Sequence, residues 1–290
     1  MNYRHHFHAG NYADVFKHAL LLLLFRAMQR KEKGFLFLDT HAGRGAYDLT
    51  EEPVLTGGRT REPEHPGGIG RLWGAASLPP ALADYVALVR TYNEQRGAAP
   101  GELHYYPGSP CFARLLARPQ ERLALCELQE VDAEALAYEF GRAPRGTVRV
   151  GDGYQALKAL LPPPEKRALV LIDPPFEEQQ EFVEILAGLR AALTRFPSGV
   201  YAVWYPLTGR AGVEDFMREL AVLRLPPTLA VELRVAADSA AVPMKGCGLL
   251  VLNPPWKVED EIRAVLPALA ELLKTDTGAT AGCTWLVPES

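Results

Sequence analysis

Cysteine is scarce in this chain, and none of its four cysteines, Cys111, Cys126, Cys247 and Cys283, forms a C-x-x-C pair. That removes zinc-ribbon and thioredoxin-type readings and leaves buried thiols in a reducing compartment as the expectation. H-E-x-x-H is absent too. No Cys or carboxylate stands at a recognised ligand spacing from His5, His6, His8 or His18, so no metal is expected. Long apolar runs are missing: Ala19 to Phe25, the longest near the amino terminus, is far too short to span a bilayer. No signal peptide is evident, which makes the cytoplasm the expected location, without a membrane partner. There is no surplus of positive charge either. With 31 Lys and Arg against 35 Asp and Glu, the net charge of −4 excludes a uniformly basic nucleic-acid surface, so any such surface must be local. The absence of repeats, heptads and low-complexity runs excludes solenoids and coiled coils.

What is present is ordinary globular material, 48% hydrophobic and 23% charged, enough at 290 residues for a large core in one domain or in a domain with an insertion. Aliphatic segments alternate with helical ones. Asn11 can cap a helix with Asp14 in its first turn and an apolar stretch from Val15 to Met28. Residues 1–34 carry six Lys and Arg against two Asp and Glu, a local basic end on an acidic protein. Phe35 to Leu38 reads as a strand ending on Asp39 and leading into Gly43-Arg44-Gly45. From about Asp48 to Pro100 prolines and glycines surround one helical stretch, Ala81 to Gln95, which reads as a helical insertion serving either substrate binding or structure alone. The alternation then resumes, with strands Arg122 to Glu127, Thr147 to Val150, Ala168 to Ile172, Val200 to Trp204, Leu229 to Val235, Gly246 to Leu252 and Thr284 to Val287. Tyr105 to Pro110 reads as a turn.

Asp39, Glu127, Asp152 and Asp173 stand at the ends of successive strands, where an open α/β sheet binds its ligands. Asp173-Pro174-Pro175-Phe176 ends its strand abruptly, since proline donates no ladder hydrogen bond. The tetrapeptide is similar to the D/N-P-P-Y/F/W signature of S-adenosylmethionine (SAM)-dependent methyltransferases acting on exocyclic amino groups. Asp39-Thr40-His41-Ala42-Gly43-x-Gly45 likewise resembles the D/E-x-x-x-G-x-G loop with which class I methyltransferases hold that cofactor. Asn253-Pro254-Pro255-Trp256 fits the first pattern equally well. The order of the acids favours Asp173, leaving the Asn253 turn to end an edge strand.

The expected chemistry follows from the groups. An adenine amino nitrogen is a poor nucleophile while its lone pair is delocalised into the ring. Asp173 and the Pro174 carbonyl can each accept one of its N–H bonds and let it pyramidalise, with Phe176 stacked on the base. Glu127 suits ribose hydroxyls, and Asp152 the cofactor's adenine amino group, although D-G is also a common turn pair. His18 and Lys17 can face the cleft, with core packing and solvated charge as the plain alternatives.

The chain resembles the RlmJ family of 23S ribosomal RNA adenine-N6 methyltransferases over nearly its whole length. The residues that carry the resemblance are Tyr3-Arg4-His5, Phe7 to Asn11, Ala13 to Val15, Lys17-His18, Asp39 to Gly45, Tyr106 to Pro110, Ile172 to Pro175 and Leu252 to Trp256. It implies a class I, Rossmann-like α/β fold with a mostly parallel seven-stranded sheet and an antiparallel edge strand, formed by residues 1–47 and 101–290, with 48–100 as an inserted helical subdomain. It implies SAM bound by His18, His41, Ser109, Glu127, Asp152 and Gly153; the glycine loop and the strand ends add Gly43 and Asp173 to that set, and the lack of ligand spacings implies no metal. It further implies catalysis by Asp173 and a substrate contact from Tyr3, to which the residue reading adds Pro174 and Phe176 at the catalytic position and Arg4, His5 and Lys17 as candidate RNA contacts. Phe176 stands where a tyrosine is usual. The implied partner is protein-free or early-assembly 23S ribosomal RNA, and the implied state a monomer. A DNA adenine-N6 methyltransferase and a catalytically silent RNA-binding protein of the same fold are the alternatives. A nicotinamide-dependent oxidoreductase is a remote third that leaves D-P-P-F unexplained.

Overall fold

The computed structural model describes residues 7–51, 62–141, 146–176, 180–208, 210–237, 240 and 244–289. Helix α1 (Tyr12–Gln29) precedes strand β1 (Leu36–Asp39), and a short strand β2 (Ala46–Asp48) leads into the insertion, which holds α2 (Ile69–Trp73) and α3 (Pro80–Gln95). Strand β3 (Tyr105–Pro107) leads out of it, followed by α4 (Ser109–Leu116), β4 (Arg122–Glu127), α5 (Glu130–Phe140), β5 (Gly146–Val150), α6 (Gly153–Leu160) and β6 (Ala168–Ile172). The chain continues through α7 (Glu181–Arg195), β7 (Val200–Pro206), α8 (Arg210–Val222), β8 (Thr228–Arg234), β9 (Gly246–Leu252), α9 (Val258–Leu273) and β10 (Thr280–Val287).

Eight strands form one sheet in the order β10-β8-β9-β7-β6-β1-β4-β5. The run from β7 to β5 is parallel, whereas β9 is antiparallel to β7 and to β8, and β10 is antiparallel to β8. The sheet therefore has one strand more than the expected seven. The extra strand is β10, which adds to the antiparallel end through a ladder running from Thr280 to Val287.

β1 and β6 are buried along their whole length, because a central parallel strand is covered on both faces and must be apolar on both. Phe37, Leu169 and Leu171 point into a core shared with α1, α4 and α9, while Leu36, Leu38, Val170 and Ile172 point into one shared with α6 and α7. α1 is buried almost all round, between the sheet, α9 and the insertion, which explains its run of leucines. Among the described residues, no helix is long and apolar enough to cross a membrane.

The insertion leaves and returns through a second, two-stranded ladder in which Asp48 faces Tyr105. Buried Asn93 pins it there: its Oδ1 accepts from His104 N and Tyr105 N, and its Nδ2 donates to Val89 O and Tyr105 O, all at 2.8 Å. Tyr85, Val86 and Val89 of α3 join the same core as α1. The segment before α1 packs on the insertion so closely that a Cβ on Gly68 would lie 2.0 Å from Gly10 O. Glu64 Oε2 accepts from Asn11 Nδ2 at 2.9 Å and lies 2.8 Å from His8 Nδ1. The segment carrying α2 and α3 thus buttresses the entry to α1.

Candidate active site

Parallel strands bring four acids to the carboxyl edge of the sheet. Asp39 ends β1 opposite Leu171 of β6 and Leu125 of β4. Asp173 and Glu127 each stand two residues further on, about 7 Å along their strands. Glu127 in turn faces Val150, so Asp152 is two residues beyond that. The order β6-β1-β4-β5 makes Asp173, Asp39, Glu127 and Asp152 a continuous acidic rim.

The glycine loop lies over this rim. Gly43 and Gly45 have φ of +58° and +84°, a region that side-chain-bearing residues rarely adopt. Glu127 Oε2 accepts from Gly43 N at 2.8 Å, and its Oε1 accepts from Gln129 N at 2.8 Å, so the carboxylate also fastens the loop. Burial pushes the Glu127 carboxyl up, against the two backbone donors. Asp152 is exposed and caps α6, its Oδ1 accepting from Tyr154 N at 2.7 Å. Gly153 is buried against β1, and a Cβ there would stand 2.0 Å from Thr40 O. Gly153→Ala is therefore expected to displace α6 from the rim and lower Tm, measurable by calorimetry.

Ser109 does not point outward: its Oγ donates to Asp39 Oδ2 at 2.6 Å, and both are buried. Burial drives the Asp39 carboxyl up to about 7, with the nearby Asp173 charge adding and Ser109 and the backbone of His41 opposing. His41 sits beside it with its Nδ1 2.8 Å from Thr40 Oγ1 and its ring 5.2 Å from Tyr154. Thr40 Oγ1 donates to Leu171 O at 3.0 Å, so it must accept from His41 Nδ1–H, which leaves Nε2 of that ring as the acceptor. Burial lowers the His41 pKa to about 4, so the ring is neutral near pH 7.

These two groups oppose each other in their effect on stability. The folded protein holds the Asp39 proton up to about pH 7 while the unfolded chain loses it near 4, so this group's contribution falls as pH rises between those values. His41 acts oppositely, removing stability as pH falls below about 6.5. Asp39→Asn deletes only the first slope. Relative to wild type its stability is expected to rise between pH 4 and 7 in urea melts, and a constant difference would refute the assignment.

His18 is buried in α1, its Nδ1 2.7 Å from Tyr106 Oη, which lies 2.8 Å from Tyr85 Oη of the insertion. The residue before it, Lys17, is also buried. Its Nζ donates to Asp173 Oδ2 at 2.5 Å and to Asp14 Oδ1 at 2.9 Å. Burial by itself lowers the lysine pKa, but the two carboxylates outweigh it and hold the ammonium well above its ordinary value. Asp14 Oδ2 accepts from Gly10 N at 2.9 Å. The sequence reading missed this role for Asp14, which it took as a helix-dipole partner, and passed over the Asp39–Ser109 pair; the spacing i,i+3 between Asp14 and Lys17 is a usable local signal.

Among the described residues Asp173 Oδ1 accepts no bond. Pro174 is buried beside it. Phe176 is half-buried with φ +51°, and its ring packs edge-on against Phe182 at 5.0 Å and Trp204 at 5.6 Å. Trp204 neighbours Asp173, being one residue past the Ile172–Val203 pair. Tyr3, Arg4 and His5 lie outside the described residues. Asn253 is on the opposite edge of the sheet, since β9 runs antiparallel and Leu252 faces Tyr201 near the start of β7. Its Nδ2 donates to Pro197 O at 2.8 Å and Gly199 O at 2.7 Å.

The donors that SAM presents, an ammonium, a ribose diol and an exocyclic amine, match a rim made of carboxylate acceptors beside a glycine turn. Residues 32–287 match the family model described as ribosomal RNA large subunit methyltransferase D, RlmJ. The chain is 41% identical to ribosomal RNA large subunit methyltransferase J of Escherichia coli (strain K12), and 38% identical to the protein of that name from Haemophilus influenzae, in both cases over 100% of each chain. The crystal structure of protein LPL1258 from Legionella pneumophila superposes with a TM-score of 0.84 at 34% identity, covering 96% of this chain and 98% of that one. The chain is a class I methyltransferase and belongs to the RlmJ family.

Proposed function

We propose that this enzyme methylates the exocyclic N6 of one adenine in 23S ribosomal RNA, with SAM as donor and without a metal. The observation that carries the reading is the placement of Asp173, held by Lys17 at the end of β6 with one oxygen unengaged among the described residues, next to the glycine-loop rim. When bound, SAM supplies a methyl group on a positively charged sulfur, which a nitrogen lone pair can attack. Cofactor contacts fall to His18, His41, Gly43, Glu127, Asp152, Gly153 and the Asp173 region, with Ser109 acting by orienting Asp39.

Asp173 Oδ1 accepts one amino N–H of the target adenine, and the Pro174 carbonyl accepts the other. The nitrogen is thereby held pyramidal. Lys17, expected from the sequence to touch RNA, positions the Asp173 carboxylate through Oδ2. Phe176 supplies a ring for the base. Such stacking contributes about 1–3 kcal/mol, against a few kcal/mol to extrude a paired base, so an adenine that is already unpaired is the favoured substrate. The Tyr3-Arg4-His5 segment completes the RNA contacts, residues 48–100 form an inserted helical subdomain, and the enzyme works as a cytoplasmic monomer on protein-free or early-assembly RNA.

Transfer of labelled methyl from SAM to protein-free 23S ribosomal RNA, assembled subunits and duplex DNA tests this. Label is expected in the free RNA, and label in duplex DNA alone would overturn the proposal.

A further inference from the structure

The Asn253-Pro254-Pro255-Trp256 turn lies across the sheet from Asp173, and the catalytic reading leaves it unused. It is built as a held platform. Left-handed backbone brackets it, with φ of +51° at Asn253 and +63° at Lys257. The Asn253 amide is fastened to the carbonyls of Pro197 and Gly199, and the Arg30 guanidinium donates to the carbonyl of Trp256. The indole so held is 71% exposed, with Lys257 Nζ 4.4 Å from its centroid. Keeping an indole in water forfeits burial, and a turn clamped at three points to do so is arranged for a contact.

Charge says which contact. Arg30 is matched by Glu261, and Arg167 donates to the carbonyl of Lys33, which brings Lys166 alongside. Lys31, Lys33, Lys166 and Lys257 have no carboxylate partner among the described residues, against Glu32 and Asp260 likewise unmatched. An aromatic plane with Lys257 over it, joined through Arg30 to a segment of unmatched lysines, on a protein of net charge −4 suits a nucleic acid base and its flanking phosphates.

We propose that Trp256 stacks on an unpaired nucleotide of the RNA substrate while Lys31, Lys33 and Lys166 meet neighbouring phosphates, forming a second anchor remote from the reacting adenine. The proposal rests on the ribosomal RNA reading above. Along α1 the rise from Lys17 to Arg30 is about 20 Å, so only a long or folded RNA reaches both edges. The remote anchor selects such an RNA.

The test is binding of protein-free 23S ribosomal RNA by wild type, Trp256→Ala, Trp256→Phe and Lys31→Glu with Lys33→Glu, with single-turnover methyl transfer at saturating RNA alongside. Trp256→Ala is expected to weaken RNA binding roughly 5- to 150-fold, the range that one base–aromatic stack supplies. Trp256→Phe should keep most of the affinity, the lysine pair should flatten the salt dependence, and the saturated transfer rate should stay unchanged. Wild-type affinity and salt slope in Trp256→Ala and in the lysine pair would overturn the proposal. The lysine pair, being on the surface, keeps the test decisive if Trp256→Ala does not fold. Wild type that binds and methylates no RNA would instead overturn the functional reading.

Discussion

Asp173→Ala is expected to lower the rate of methyl transfer by at least about 10²–10³-fold, the loss seen when one preorganised group facing the reacting atoms is removed, while the Kd for SAM changes by only a few fold. The split follows from the geometry. Asp173 Oδ2 is occupied by Lys17, which on the proposed reading leaves Oδ1 for the substrate. On the proposed reading the cofactor's donors fall to Glu127 and Asp152 across the neighbouring strands. The fold should tolerate the change, because Lys17 keeps Asp14 as a partner at 2.9 Å. Single-turnover kinetics with labelled SAM read the first quantity and calorimetry the second. Comparable losses in both would mean that Asp173 belongs to the cofactor site instead.

Lys17→Met is expected to cost about 3–5 kcal/mol of folding stability, because breaking a buried ion pair from one side leaves an uncompensated charge. Here it leaves two, since Asp14 is 2% exposed and Asp173 faces the same ammonium. Adding Asp14→Asn to the same chain should recover part of the loss, because one of the two stranded carboxylates is then removed. Urea melts of the single and the double variant measure both quantities. A loss under about 1 kcal/mol would show that the ammonium behaves as a solvated surface charge.

Much of the fold could be read from the chain because burial leaves a strong trace. β1, β4 and β6 are covered on both faces, so each is a run of aliphatics, and each stops at an acid where the sheet ends. The order of those acids along the chain matched their order at the rim apart from Asp173, which sits on the far side of β1 because the chain crosses back from β5 over β1 to form β6. β2 and β3 left no such trace. Each has three residues, and their pairing of Ala46 with Pro107 depends on an insertion that brings distant segments together.

The site was legible in its strand ends and less so in its partnerships. Lys17 and Asp173 are 156 residues apart, and nothing local in either sequence announces their pairing. Ser109 was expected to face the cofactor, yet its hydroxyl turns inward to Asp39. The two Pro-Pro turns are alike as sequence. They are separated by strand direction, because β9 runs against β7 and delivers Asn253 to the other edge.

Nucleoside mass spectrometry of protein-free 23S ribosomal RNA, after turnover with labelled SAM, separates N6 transfer from transfer to any other position. The label is expected as N6-methyladenosine at a single adenine with wild-type enzyme and is expected to disappear with Asp173→Ala. Label on a ribose, a ring nitrogen or a carbon, or undiminished N6-methyladenosine from the Asp173→Ala enzyme, would contradict the proposed function.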